Sequence, residues 1–148
     1  MSIVSELRER MKRAMKEGRK EELGSIRYIL AELKRASIDA RGELDHEAEV
    51  QVLKRELKKR KEAAQAFSDG GRPELAAHEE SEALLIEEFL PAQLEESAVA
   101  ALIEEAVGET GASSLKDMGK VMAHVMAKAG SQVDGREVSR LVKERLST

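Results

Sequence analysis

The sequence has no cysteine and no tryptophan, and only one tyrosine, two phenylalanines and two prolines occur among its 148 residues. Without cysteine, the chain forms no disulfide, offers no thiolate nucleophile and holds no cysteine-bound metal. Aromatic residues make up only 2% of the sequence, which excludes base stacking on aromatic rings as the basis of single-strand binding. No apolar run approaches the ~20 residues that span a bilayer, and residues 1–6 contain no apolar signal segment. The sequence therefore predicts a cytoplasmic protein without a membrane partner.

Charge is abundant but unevenly distributed, with 25 basic and 29 acidic residues and a net charge of −4. Residues 1–72 contain 18 bases and 14 acids, residues 73–115 contain 11 acids and no base, and residues 116–148 contain 7 bases and 4 acids. Such blocks create a dipolar surface that orients a charged partner, although charge runs on helices are more often simply solvated.

Apolar residues recur at intervals of three and four, and no segment alternates with a period of two, so the sequence predicts an all-α protein. Seven helices are expected, marked by apolar sets within residues 4–14, 23–33, 50–67, 75–90, 102–107, 115–126 and 138–146. Leu90-Pro91 predicts a break, because the residue before a proline avoids helical geometry. We predict antiparallel helical hairpins over residues 1–90 and a small three-helix module over residues 91–148.

Two charged residues, Arg60 and Glu82, stand where the third and fourth helices call for apolar residues. If these helices fold back about Gly70-Gly71, the two side chains lie at nearly the same level. The pattern predicts a semi-buried ion pair, and a structural role is favoured over a catalytic one because charges in helical seams usually specify packing.

No catalytic constellation is present in the sequence. There is no nucleophile elbow and no glycine-rich phosphate loop after a strand. Capping of a helix explains Ser114 better than a serine–lysine pair with Lys116 does. The three histidines, His46, His78 and His124, show no metal-ligand spacing. We therefore predict no catalytic residue, no metal and no cofactor.

The last two helices carry their own start signals. Ser114 is expected to cap the first of them, with Asp117 completing a capping box, and Asp134 is expected to cap the second. Gly119 lies inside a helix, where glycine costs about 1 kcal/mol relative to alanine. The favoured explanation is close packing of the seventh helix against it, and the alternative is close approach of a nucleic-acid backbone.

Each of these two helices also has a basic side opposite its apolar side. The spacing predicts one continuous cationic face made of Lys116, Lys120, Arg136, Arg140 and Lys143. A cationic face on an otherwise acidic protein indicates an anionic partner.

The segments KDMGKVM (residues 116–122) and DGREVSRLVKERL (residues 134–146) resemble the end of the YqeY family, which is similar to the C-terminal part of the GatB subunit of the tRNA-dependent amidotransferase. The junction EFLPAQL (residues 88–94) and the helix IRYILAELK (residues 26–34) extend the resemblance over nearly the whole chain. The chain departs from the family at residues 130–133, Gly-Ser-Gln-Val, where a cation is more usual.

The resemblance implies a non-catalytic, tRNA-binding accessory protein that holds structured RNA by shape and backbone through the C-terminal module. The resemblance also implies the activity of a carbon–nitrogen ligase with glutamine as amide donor. We assign that activity to the whole amidotransferase, because a similar fold does not by itself carry the same chemistry. A protein-interaction module that uses the acidic helices is the alternative. An aminoacyl-tRNA synthetase or an amidotransferase complex would be its protein partner.

Overall fold

The computed structural model describes residues 2–147, and every regular element in that range is helical. The seven α-helices are α1 (Ile3–Glu17), α2 (Lys20–Asp39), α3 (His46–Asp69), α4 (Pro73–Glu88), α5 (Glu96–Thr110), α6 (Met118–Ala129) and α7 (Gly135–Leu146). Two 3-10 turns, Leu115–Asp117 and Gly130–Gln132, precede and follow α6. The predicted all-α class is confirmed. In this part of the chain no helix is both long enough and apolar enough to cross a membrane.

Local sequence signals set the helix ends. The hydroxyl of Ser2 accepts a 3.1 Å hydrogen bond from the backbone N–H of Ser5 at the start of α1. Gly18 ends that helix with a φ of 69°, a left-handed conformation that glycine adopts without a steric penalty. Pro73 occupies the first turn of α4, where its missing N–H would have no helical partner in any case.

The chain divides into two compact units, the first ending at Leu90 and the second beginning at Pro91. Each unit has a separate apolar core. The core of the first unit is formed by α1, α2, α3 and α4, and its fully buried side chains include Leu7, Ile26, Leu33, Val50 and Leu53. The hairpin of α3 and α4 turns at Gly70 and Gly71, the latter with a φ of 72°.

Arg60 of α3 is the centre of an ion-pair network in that hairpin. Its Nη1 lies 3.1 Å from Oε2 of both Glu79 and Glu82 on α4, and its Nη2 lies 3.7 Å from Oε2 of Glu56. The guanidinium also lies 5.2 Å from the ring centroid of Tyr28 on α2. Burial by itself would lower the pKa of Arg60, but the charges of Glu79 and Glu82 raise it above its ordinary value.

Because Arg60 is the centre of the network, its loss should destabilise the protein more than the loss of any one carboxylate. Replacing Arg60 by methionine should destabilise the first unit by about 2–3 kcal/mol, because Glu79 and Glu82 lose the guanidinium that they share. Replacing Glu82 by glutamine should cost only about 1 kcal/mol, because Arg60 keeps its other partners. Urea unfolding followed by the fluorescence of Tyr28, the only tyrosine in the sequence, measures this unit. Arg72→Met, at an exposed pair with Glu74, is the control. Equal costs at Arg60 and Glu82 would contradict the network.

A buried carboxylate joins α3 to the start of α1. Glu49 is only 2% exposed. Its Oε1 accepts a 3.2 Å hydrogen bond from the N–H of Ile3, and its Oε2 accepts a 3.0 Å bond from the N–H of Val4. These N–H groups have no partner within their own helix, so Glu49 caps α1 from 46 residues away.

Candidate nucleic-acid interface

The second unit is a three-helix module whose core lies between α5, α6 and α7. Its buried side chains are apolar and come from all three helices: Val99, Ile103, Ala106, Val121, Val125, Ala129, Val138, Val142 and Leu146. The turn after α6 is held by the segment before α5, because the N–H of Leu94 donates to the carbonyl of Gln132 at 2.8 Å. The side chain of Gln93 likewise donates to the carbonyl of Ser131 at 2.9 Å. The backbone carbonyls of residues 131 and 132 therefore serve an internal contact that does not depend on their side chains.

The start of α6 carries the expected capping box. Oδ2 of Asp117 accepts hydrogen bonds from the backbone N–H groups of Ser113 at 2.9 Å and Ser114 at 3.4 Å. These bonds, that from Ser113 foremost, lower the pKa of Asp117 below its ordinary value. The box encloses a 3-10 turn, so Lys116 lies in that turn and not in the α-helix that its spacing from Lys120 predicts.

The start of α7 is capped by Asp134, as the sequence predicts. Its Oδ1 accepts a 2.9 Å hydrogen bond from the N–H of Arg136. The helix then buries Val138, Val142 and Leu146, so its cations project from the opposite side.

Three of the seven cations in the second unit are neutralised by carboxylates. Helix α5 supplies one carboxylate to each of these three cations. Lys128 contacts Glu105, and Arg145 contacts Glu104. Arg140 lies 3.5 Å from Glu96 on α5 and 3.0 Å from Glu144 one turn further along α7. The hydrogen bond with Glu144, helped by its charge and that of Glu96, raises the pKa of Arg140 above its ordinary value.

The other four cations are Lys116, Lys120, Arg136 and Lys143. All are exposed, and none of them has an ion-pair partner among residues 2–147. Four of the five cations in the predicted site are therefore available to a ligand, whereas Arg140 is already engaged.

Helical spacing places the available cations in two groups. On α6, Lys120 continues the row of His124 and Lys128, whose side chains contact α5. On α7, Arg136 and Lys143 are seven residues apart and share a side of the helix. Arg145, which contacts Glu104 of α5, lies on the opposite side. The small residues Gly119, Ala123 and Ala127 are exposed along the outer side of α6. Whether both groups bind one ligand stays a prediction.

The expected close packing at Gly119 is wrong. A Cβ atom placed on this residue would meet nothing within 4 Å, so no neighbouring backbone approaches it. The reason is that α6 buries Val121 and Val125 and leaves Gly119 on its solvent side. The alternative explanation, that the glycine lets an external backbone come close, agrees with this open surface.

The structure also brings together residues that the sequence spacing does not connect. Glu105 and Glu109 of α5 and His124 of α6 form a cluster of three metal-ligating side chains. No signal in the sequence pairs positions this far apart, because only the packing of α5 on α6 makes them neighbours.

Comparison with known proteins gives one result that bears on the whole chain. A search of curated proteins finds no match to this sequence. The family model described as Yqey-like protein matches residues 4–146, which is nearly the full length and includes both units. The chain therefore belongs to the YqeY family.

Proposed function

We propose that this protein is a non-catalytic accessory protein that binds tRNA through its second unit. The observation that carries the proposal is the division of the cations there: Lys116, Lys120, Arg136 and Lys143 are exposed and unpaired within the described chain, whereas Lys128, Arg140 and Arg145 are neutralised. Cations without an internal partner are the ones that gain most from contact with phosphates.

The chemistry of this surface favours a folded RNA. Lysine and arginine contacts to phosphates give affinity without reading the sequence, and folded RNA is recognised largely by shape and backbone. The three aromatic residues of the sequence, Tyr28, Phe67 and Phe89, all lie in the first unit, so base stacking on aromatic rings contributes nothing at this surface. The resemblance to the tail of GatB is what narrows the proposal from RNA to tRNA.

A protein-interaction module acting through the acidic helices α4 and α5 is less well supported. On α5, Glu96, Glu104 and Glu105 pair with cations of α6 and α7, and on α4 most of the carboxylates are paired as well. Glu79 and Glu82 pair with Arg60, and Glu87 lies 3.2 Å from Lys61. Glu88 lies 3.0 Å from Arg10. Since these carboxylates already have cations within the first unit, they offer little charge to a basic synthetase or ribosomal protein.

The experiment that tests the proposal is filter binding of the full chain to a tRNA transcript over a series of salt concentrations. Binding through about four phosphate contacts should give a slope of log affinity against log salt near −3 to −4. A double-stranded DNA of equal charge is the comparison ligand and should bind more weakly, because its backbone geometry differs. Absence of tRNA binding at low salt would refute the proposal, and a tRNA affinity that does not change with salt would contradict binding through phosphate contacts.

Gly119 gives a second, independent prediction. Gly119→Leu should leave the fold intact, because the space around it is open and leucine is a better helix former. It should nevertheless weaken tRNA binding about tenfold if the RNA backbone lies against this side of α6, since the added side chain holds the phosphates away. Ala100→Leu, at an exposed position of α5, is the matched control and should bind normally. Equal affinity of the two variants would place the RNA elsewhere.

A further inference from the structure

A cluster of potential metal ligands lies where α5 packs on α6. Glu105 and Glu109 are one turn apart on α5, and His124 faces them from α6. Each residue offers one ligand atom, and the three atoms lie within 4.8 Å of one another. Carboxylates at i and i+4 on one helix with an imidazole from its neighbour can surround a single ion after small side-chain rotations.

The ring of His124, whose side chain is 20% exposed, turns its Nε2 atom into this cluster. Its Nε2 atom is buried and has no hydrogen-bond partner in the described chain, although Oε2 of Glu109 lies only 3.3 Å away. The nitrogen and the carboxylate oxygen therefore face each other with no room for solvent between them and no hydrogen bond. Such a contact is favourable only with a proton or a metal cation between the two atoms.

A cation already lies at one side of the cluster. The ammonium group of Lys128, one turn beyond His124, contacts the carboxylate of Glu105. This hydrogen bond lowers the pKa of Glu105 below its ordinary value. Lys128 therefore competes with a metal for Glu105, and its charge repels the metal. Removing Lys128 should strengthen metal binding, whereas removing a ligand should weaken it.

We propose that Glu105, Glu109 and His124 form a site for a divalent transition-metal ion, with Zn²⁺ as the expected occupant. One imidazole nitrogen and two carboxylate oxygens suit zinc, and water completes four-coordination. Mg²⁺ and Ca²⁺ are disfavoured because they prefer ligand sets made only of oxygen. The ion joins α5 to α6 and stabilises the second unit. This site involves none of the four available cations, so it shares no residue with the proposed tRNA contacts.

Isothermal titration of the EDTA-treated, dialysed full chain with zinc chloride tests the site. We expect one zinc per chain for the wild type and no response to magnesium chloride. His124→Ala and His124→Gln should each weaken binding by more than about 10–100-fold, the loss typical of residues that only support a ligand. Lys128→Met should tighten binding about fivefold, because a competing positive charge is removed. His78→Ala, at an exposed histidine of the first unit, should leave binding unchanged.

Circular dichroism of each variant without metal shows that it is folded, and melting curves with and without zinc give a second measurement. Zinc should raise the melting temperature of the wild type and of Lys128→Met, and leave that of the His124 variants unchanged. Absence of zinc binding at millimolar concentration would overturn the proposal. It would also be overturned if both His124 variants kept wild-type affinity, or if Lys128→Met bound no more tightly than the wild type.

Discussion

Reversing the charges of Lys120 and Lys143 together is expected to weaken tRNA binding by about 10–100-fold at moderate salt. Neither residue has an ion-pair partner within residues 2–147, so both ammonium groups are open to phosphate. Losing two charge-assisted phosphate contacts accounts for an effect of this size. The slope of log affinity against log salt should also flatten by about 1.4–1.8.

The matched control is Arg140→Glu with Arg145→Glu, which changes the net charge of the protein by the same amount. Both arginines are already paired with carboxylates of α5, so their reversal should change tRNA affinity by no more than about threefold. Filter binding at several salt concentrations measures both double variants, with helicity checked by circular dichroism. If the two doubles lost the same affinity, the general field of the protein would be responsible and the proposed contacts would be wrong.

The sequence predicts the helices and the break at Pro91 well because both depend on neighbouring residues. A period of three and four reports which side of a helix is buried, whatever it packs against. Proline restricts the residue before it by local steric contact. Asp134 caps the helix that follows it for the same reason, and Asp117 accepts from the N–H of Ser113 four residues before it, so both bonds lie within a few residues of the carboxylate.

Whether a cation is paired with a carboxylate or available to a ligand depends largely on tertiary packing. The spacing of residues along one helix does not contain this information. Lys120 and Arg140 look alike in the sequence, as each lies opposite an apolar side. Part of the difference is local, because Glu144 one turn along α7 pairs with Arg140 at 3.0 Å. The rest is tertiary, because α5 places Glu96 beside Arg140 and offers no ion-pair partner to Lys120 in the described chain. The open surface at Gly119 and the meeting of Glu109 with His124 depend in the same way on where α5, α6 and α7 lie.

Glu49 is the clearest case of a residue whose role the sequence conceals. Near the start of α3, an acidic residue is typical of an exposed first turn, as its neighbour Glu47 illustrates. The structure instead turns Glu49 inward, where it accepts hydrogen bonds from the N–H groups of Ile3 and Val4. The partial positive charge at the start of α1 offsets part of the desolvation of the carboxylate.

Glu49→Ala is therefore expected to destabilise the first unit by about 3–5 kcal/mol. The substitution leaves two N–H groups at the start of α1 without their acceptor and opens a cavity beside the buried Val50. Glu49→Gln should cost about half as much, because its amide oxygen can still accept one of the two bonds. Glu47→Ala, two residues earlier and exposed, should stay within about 0.5 kcal/mol of the wild type.

Urea unfolding followed by Tyr28 fluorescence measures these differences, because the only tyrosine of the sequence lies in α2 and reports on the first unit alone. Glu49→Ala and Glu47→Ala could instead lower the free energy of unfolding by amounts within about 0.5 kcal/mol of each other. That result would mean that water replaces the carboxylate of Glu49 at no cost. Glu49 would then be a packing residue and not the cap of α1. If the carboxylate accepts two buried hydrogen bonds, stability should rise from Glu49→Ala through Glu49→Gln to the wild type. Each step restores one acceptor to the same pair of N–H donors.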